Sequence, residues 1–219
     1  MIQARGVAKS FKLGAVSIDA LRGVDLDVVK GEMVAITGVS GSGKSTLLNL
    51  IGGMDRPDSG SIEVDGEDIA HYSNSRLTGF RATKIGFIFQ NFNLISVLNV
   101  YDNIVVPMKL KGQRFERATV LEMIERVGLT RFVKHRPDEL SGGQRQRVAI
   151  ARSLVHNPPY ILADEITANL DTSTATSIIG LLKELNRDFG VTIVFASHDQ
   201  RILDIIERKV MLEDGVMVS

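Results

Sequence analysis

The sequence has no cysteine among its 219 residues. That excludes a disulfide scaffold, a Cys-ligated zinc site and a thiol nucleophile. Charge of one sign is not in excess either. Lys+Arg and Asp+Glu number 26 each, a formal net charge of zero. This argues against a protein held to nucleic acid by a general basic surface. Long apolar runs are missing, and none approaches the length that crosses a bilayer. Met1 to Phe11 carries no apolar signal-peptide core. No repeat of solenoid period and no low-complexity tract is visible. What remains is 44% hydrophobic and 24% charged residues, an ordinary globular balance. The expectation is one domain, or one domain with a small lobe, in a soluble, intracellular chain. Such a chain would work at a membrane only through a partner.

Short apolar strands alternate with helical stretches, the pattern of an α/β fold. Strands are predicted at Ile2 to Ala8, Val24 to Val29, Met33 to Thr37, Ile62 to Val64 and Ile85 to Phe89. Tyr160 to Ala163 and Val191 to Ala196 have the continuous apolar character of buried parallel strands. A terminal hairpin is predicted around Asp214 and Gly215, between Val210 to Leu212 and Val216 to Val218. The segment 91–137 reads as an inserted helical lobe between two parts of a core, 1–90 and 138–219.

Three sites carry chemistry. Gly38, Val39, Ser40, Gly41, Ser42, Gly43, Lys44 and Ser45 match the pattern of two glycines with four residues between them, followed by Lys and then Ser or Thr. Glycines there let successive backbone N–H groups turn inward on phosphate oxygens. The helix predicted from Ser45 to Ile51 aims its positive end at the same point. Lys44 can reach the β- and γ-phosphates, the Ser45 hydroxyl can ligate Mg²⁺, and Thr46 can add a hydrogen bond. Chance gives this pattern in such a chain about once in a hundred sequences. Its position after an apolar strand and before a helix fits a nucleotide site. An exposed Ser/Gly turn would need neither flank.

Asp164 and Glu165 follow the apolar strand Tyr160 to Ala163, and ligands of open α/β sheets bind beyond such strand ends. Asp164 would hold Mg²⁺ through water, and Glu165 would polarise an attacking water. The third site is Leu140, Ser141, Gly142, Gly143 and Gln144, before a helical pattern. Ser141 is a natural N-cap, and the two glycines leave N–H groups uncovered. That makes a second candidate phosphate site in one chain.

Ser141 to Gln144, with the following Arg145 to Arg152, resembles the signature motif of ATP-binding cassette (ABC) transporter ATPases. The resemblance extends along the whole chain. It implies a P-loop NTPase of the ABC-ATPase fold: a RecA-like core, an antiparallel β subdomain and an inserted helical subdomain. Phe11 resembles the aromatic that stacks on adenine. Gln90 resembles the glutamine that contacts Mg²⁺ and the nucleophilic water. Asn169, Leu170 and Asp171 resemble the D-loop, and His198 the histidine that contacts the γ-phosphate. The resemblance implies ATP hydrolysis, with catalysis by Lys44, Gln90, Glu165 and His198 and with Mg²⁺ at Ser45, Gln90 and Asp164. It also implies a homodimer, in which Ser141, Gly142, Gly143 and Gln144 of one subunit close on the ATP of the other.

The chain departs from the family pattern after Glu165, where Ile166 replaces the usual Pro and Ala168 a common Gly. Ile166 frees φ and restores an N–H donor, a looser constraint on the catalytic loop. The stretch Gly86 to Gly112 is similar to the lipoprotein-release, macrolide-export and cell-division group (LolD/MacB/FtsE-like). Members of that group serve a membrane partner in lipid or lipoprotein extraction, in export or in transmembrane mechanotransmission. The resemblance therefore implies a place at the cytoplasmic face of the inner membrane, with a permease-type subunit docking near residues 91–108. There Leu94, Ile95, Val97 and Leu98 fit either a docking surface or the lobe's own core. Two other classes compete: a soluble cassette acting on a non-membrane partner, and a regulator that binds ATP without turnover. No nucleic-acid partner is expected, and Glu165 and His198 argue against the regulator.

Overall fold

A computed structural model describes residues 1–14, 16–112 and 114–218, without the Leu13 side chain. Gln113, inside the expected helical lobe, lies outside the described residues. Four strands form an antiparallel sheet: β1 (Ile2–Leu13), β2 (Val16–Val28), β4 (Ser59–Val64) and β5 (Glu67–Asp68), in the order β2-β1-β4-β5. Six others form the second sheet: β3 (Met33–Thr37), β6 (Ile85–Ile88), β7 (Tyr160–Asp164), β8 (Thr192–Ala196), β9 (Arg208–Glu213) and β10 (Val216–Met217). Their order is β10-β9-β3-β8-β7-β6, parallel except for the β9–β10 pair.

β3, β6, β7 and β8 are apolar on both faces because both faces are covered. Side chains alternate across them. Val34, Ile36, Tyr160, Leu162, Val194 and Ala196 join one core, shared with the antiparallel sheet and with α1 (Lys44–Ile51). Ala35, Ile161, Ala163, Ile193 and Phe195 join the other. That second core includes side chains of α3 (Val100–Leu110), α4 (Arg117–Arg126), α5 (Gly142–Leu154) and α6 (Thr172–Phe189). Helices α3 and α4 pack on α5. A helix α2 (Asn74–Lys84) precedes β6, and a short α7 (Gln200–Leu203) follows β8.

The first hairpin is longer than the apolar pattern predicts. β1 runs on to Leu13 and β2 starts at Val16, with Phe11 paired to Ile18. The added arm stands clear of the core: Phe11, Lys12 and Val16 to Asp19 are exposed. Inward residues begin only at Leu21, so no alternation marks the arm. Helix α2 is also unmarked, since it buries only Leu77 and Phe80. Within 91–137 lie α3, α4 and a 3₁₀ turn at Thr130–Phe132, and a second 3₁₀ turn, Pro137–Glu139, straddles the end of the segment.

Candidate active site

Four parallel strands of the second sheet end along one edge, and each hands the chain to a predicted site residue. β3 leads into Gly38, β6 to Gln90, β7 to Glu165 and β8 to His198. This is the edge where α/β sheets bind ligands. A cavity of about 240 Å³ lies there, and Ser40, Gly41, Gly43, Lys44, Gln90 and Glu165 help to line it. A larger cavity of about 640 Å³ lies at the opposite strand ends, between α6 and the start of β9. No predicted site residue lines it.

The cradle is built from glycines that no other residue replaces cheaply. Gly38, Gly41 and Gly43 have φ of 148°, 85° and 107°. A Cβ on Gly38 would sit 2.1 Å from the Leu212 carbonyl oxygen, and one on Gly43 2.4 Å from that of Ala20. Gly43 caps α1 with no side-chain hydrogen bond, so the first-turn N–H groups are left to an anion. Lys44 is buried, and its ammonium donates to the carbonyls of Gly38 (2.8 Å) and Val39 (2.9 Å). It also lies 3.7 Å from Glu165. Ser45 Oγ donates to Asp164 Oδ1 at 2.8 Å. Burial raises the Asp164 pKa, with the Ser45 hydrogen bond pulling the other way. Ser45, Asp164 and Gln90 are an all-oxygen donor set, the chemistry that a hard divalent cation selects.

Glu165 has φ 46°, a left-handed conformation uncommon for a residue with a side chain. Its N–H donates to Ala196 O (2.9 Å), and its carboxylate accepts from His198 Nδ1 at 2.8 Å. A carboxylate only accepts, so this contact is a hydrogen bond in the tautomer that carries its proton on Nδ1. The carboxylate is largely buried, with 14% of the side chain exposed, while His198 is 62% exposed. One buried oxygen is thus shared between Lys44 and His198.

Sequence reasoning missed the layer beneath. The Thr167 hydroxyl, buried, donates to Asp199 Oδ2. Arg201 donates from Nε to Asp199 Oδ1 (2.8 Å) and from Nη2 to Oδ2 (2.5 Å). Arg201 holds the Asp199 carboxyl down to about 2, with Thr167 helping and burial opposing. Ile166 is buried in the core beside this pair of loops. Thr167 and Asp199 lie 32 positions apart, and no local pattern joins them.

The signature residues sit at the start of α5 and do not line the cavity. Ser141 Oγ accepts from Gln144 N (3.3 Å), and Gln144 returns the bond to Ser141 N (2.8 Å). This capping box uses the Gln144 side chain for the helix start. A Cβ on Gly143 would meet Thr174 at 2.5 Å, so α5 approaches α6 as closely as a glycine allows. Of the D-loop residues, Asp171 caps α6 through Thr174 N, and Asn169 is exposed. Phe11 is 41% exposed on the outer arm of the hairpin, with the Lys9 ammonium 5.4 Å over its ring.

A family model described as ABC transporter matches residues 21–168. The chain belongs to the ABC transporter family. The cassette is 46% identical to the uncharacterised ABC transporter ATP-binding protein YknY of Bacillus subtilis, covering all of this chain and 95% of that one. It is 42% identical to the lipoprotein-releasing system ATP-binding protein LolD 2 of Rhodopirellula baltica, covering 99% and 88%. The macrolide export ATP-binding/permease protein MacB of Chlorobaculum tepidum is also 42% identical, but the cassette spans only 34% of its length. Among solved structures, the MJ0796 cassette of Methanocaldococcus jannaschii superposes with a TM-score of 0.93. It is 42% identical over all of this chain and 97% of that one. That structure is a dimer in a post-hydrolysis state bound to ADP and phosphate. The fold is therefore that of an ABC ATPase cassette, its activity is ATP hydrolysis, and its relatives place it in the group that includes LolD and MacB. Among the described residues no helix is long and apolar enough to cross a membrane.

Proposed function

We propose that two copies of this cassette close head to tail on two ATP molecules and drive a membrane subunit. The observation that carries this is the sharing of labour along the chain. One strand edge gathers the cradle, Gln90, Glu165 and His198, while the glycine-rich start of α5, capped by Ser141 and Gln144, lies outside that cavity. A second phosphate-binding helix start that its own site does not use suits the site of a second copy.

In this reading the N–H groups of residues 38–46 and the Lys44 ammonium hold the β- and γ-phosphates. Phe11 stacks on adenine. Ser141, Gly142 and Gly143 donate across the interface from the partner, with Gln144 fixing the loop and Asn169 to Asp171 meeting it. Ser45, Gln90 and Asp164, the last through water, would hold Mg²⁺, which supplies charge neutralisation at the phosphates. Glu165 takes the proton of the attacking water as its oxygen bonds to the γ-phosphorus, while the bond from that phosphorus to the β–γ bridging oxygen breaks and ADP leaves with that oxygen. His198 keeps that carboxylate aimed through Nδ1, and Nε2 is the ring nitrogen left for the γ-phosphate. Lys44 and His198 both face one oxygen of that carboxylate, at 3.7 Å and 2.8 Å.

The lobe of residues 91–137 would carry the partner's contact. A groove of about 430 Å³ runs between α2, β6 and α3, lined by Phe87, Phe89, Val106, Pro107 and Leu110 among others. Of the apolar residues before α3, Val97 and Ile95 are exposed, whereas Leu94 packs on the core. With LolD and MacB as relatives, the partner is a permease-type subunit at the cytoplasmic face of the membrane. The work done there is extraction of a lipid or lipoprotein, export, or transmission of motion. The test is Glu165→Gln, followed by phosphate release and by nucleotide binding. ATP binding should persist while turnover falls about a thousandfold. Turnover at the wild-type rate would remove Glu165 as the base.

A further inference from the structure

His198 and Glu165 stand on different loops, and one hydrogen bond between them does not fix two loops. A second tie lies below them. Asp199 follows His198 directly and accepts from the Thr167 hydroxyl, two residues beyond Glu165. Arg201 grips Asp199 with Nε and Nη2. The same guanidinium reaches back across the gap, with Nη2 3.3 Å from Thr167 O and Nη1 3.4 Å from Leu170 O. One planar group thus touches the histidine loop and two points of the glutamate loop, 34 and 31 positions away in sequence. Only the fork of an Arg offers donors in those directions at once. Glu165 itself is held at φ 46°, a conformation that persists only where the surroundings over-determine it.

We propose that Arg201, acting through Asp199 and Thr167, is a positioning residue for hydrolysis. It locks the two loops in the register that presents Glu165 and His198 to the γ-phosphate. Leu170 belongs to the stretch expected at the dimer interface, so the same clamp ties that stretch to the catalytic pair. The inference rests on the roles proposed above for Glu165 and His198. A local role is the competitor, because Asp199 also caps α7 by accepting from Arg201 N at 3.0 Å. Thr167 separates the two, since Thr167→Val cuts the cross-loop bond and leaves that cap intact.

The experiment measures kcat and KM for ATP, with melting temperature, on purified full chains carrying Arg201→Ala, Arg201→Lys or Thr167→Val. Glu165→Gln is run beside them. Misplacing catalytic groups by a fraction of an ångström predicts a kcat about ten- to a hundredfold lower in Arg201→Ala, with KM within about twofold. Arg201→Lys should stay low, since an ammonium keeps the charge and loses the fork. Thr167→Val should fall between them and the wild type. Wild-type kcat in Arg201→Ala or Thr167→Val, full rescue by Lys, or a loss confined to KM and melting temperature would each overturn the proposal. If Arg201→Ala does not fold, Arg201→Lys and Thr167→Val decide. Inactive Glu165→Gln beside a fully active Arg201→Ala would refute the clamp alone. An active Glu165→Gln would refute the base itself, whatever Arg201 does.

Discussion

Asp199 sits one residue beyond His198, and its carboxylate is held down to about 2, chiefly by the Arg201 guanidinium. Its ordinary value is 3.8. A carboxyl depressed in the folded state stabilises the fold above its unfolded pKa and loses that stabilisation as pH falls toward the folded value. Here the window runs from pH 4 to pH 2. The side chain is only 13% exposed, so little of the effect is screened away. Asp199→Asn should therefore cost about 2 kcal/mol at pH 7, and its gap from the wild type should narrow below pH 4. Urea unfolding at pH 7, 4, 3 and 2 reads the difference. At this scale the cradle was legible, because Gly38 to Ser45 are contiguous and their types follow from one ligand. The acidic pair at the end of β7 was legible for the same reason. The links Thr167–Asp199 and Arg201–Leu170 were not, since each joins loops that only the sheet brings together.

Among the elements, α5 shows most clearly how sequence and packing divide the work. Ser141 and Gln144 have capping-box spacing, and the structure forms both hydrogen bonds of the box. Ser141→Ala should cost about 1 kcal/mol of stability, read as a shift in the denaturation midpoint. An unchanged midpoint would mean that the cap does not hold α5. Gly143 has a reason that no local pattern states, because the atom it avoids belongs to Thr174 on another helix. The same limit explains the outer arm of the β1–β2 hairpin, where both faces meet solvent and alternation disappears. Ile166 is the converse case. Its sequence context suggests a freer catalytic loop, yet its side chain is buried in the core, next to the buried Thr167.

In the whole molecule, two candidate phosphate sites occupy one chain, and the structure gathers only one of them around the cavity at the strand ends. A doubly covered parallel sheet sets the first site, and the start of α5 presents the second outward. The similar MJ0796 cassette was solved as a dimer with ADP and phosphate. If the start of α5 completes the site of another copy, ATP must bring two chains together. Light scattering on the Glu165→Gln chain, with and without saturating ATP, tests it most directly. The expected result is the single-chain mass without nucleotide and twice that mass with ATP, reverting to the single-chain mass in a Ser141→Arg variant. A single-chain mass with ATP bound would contradict it.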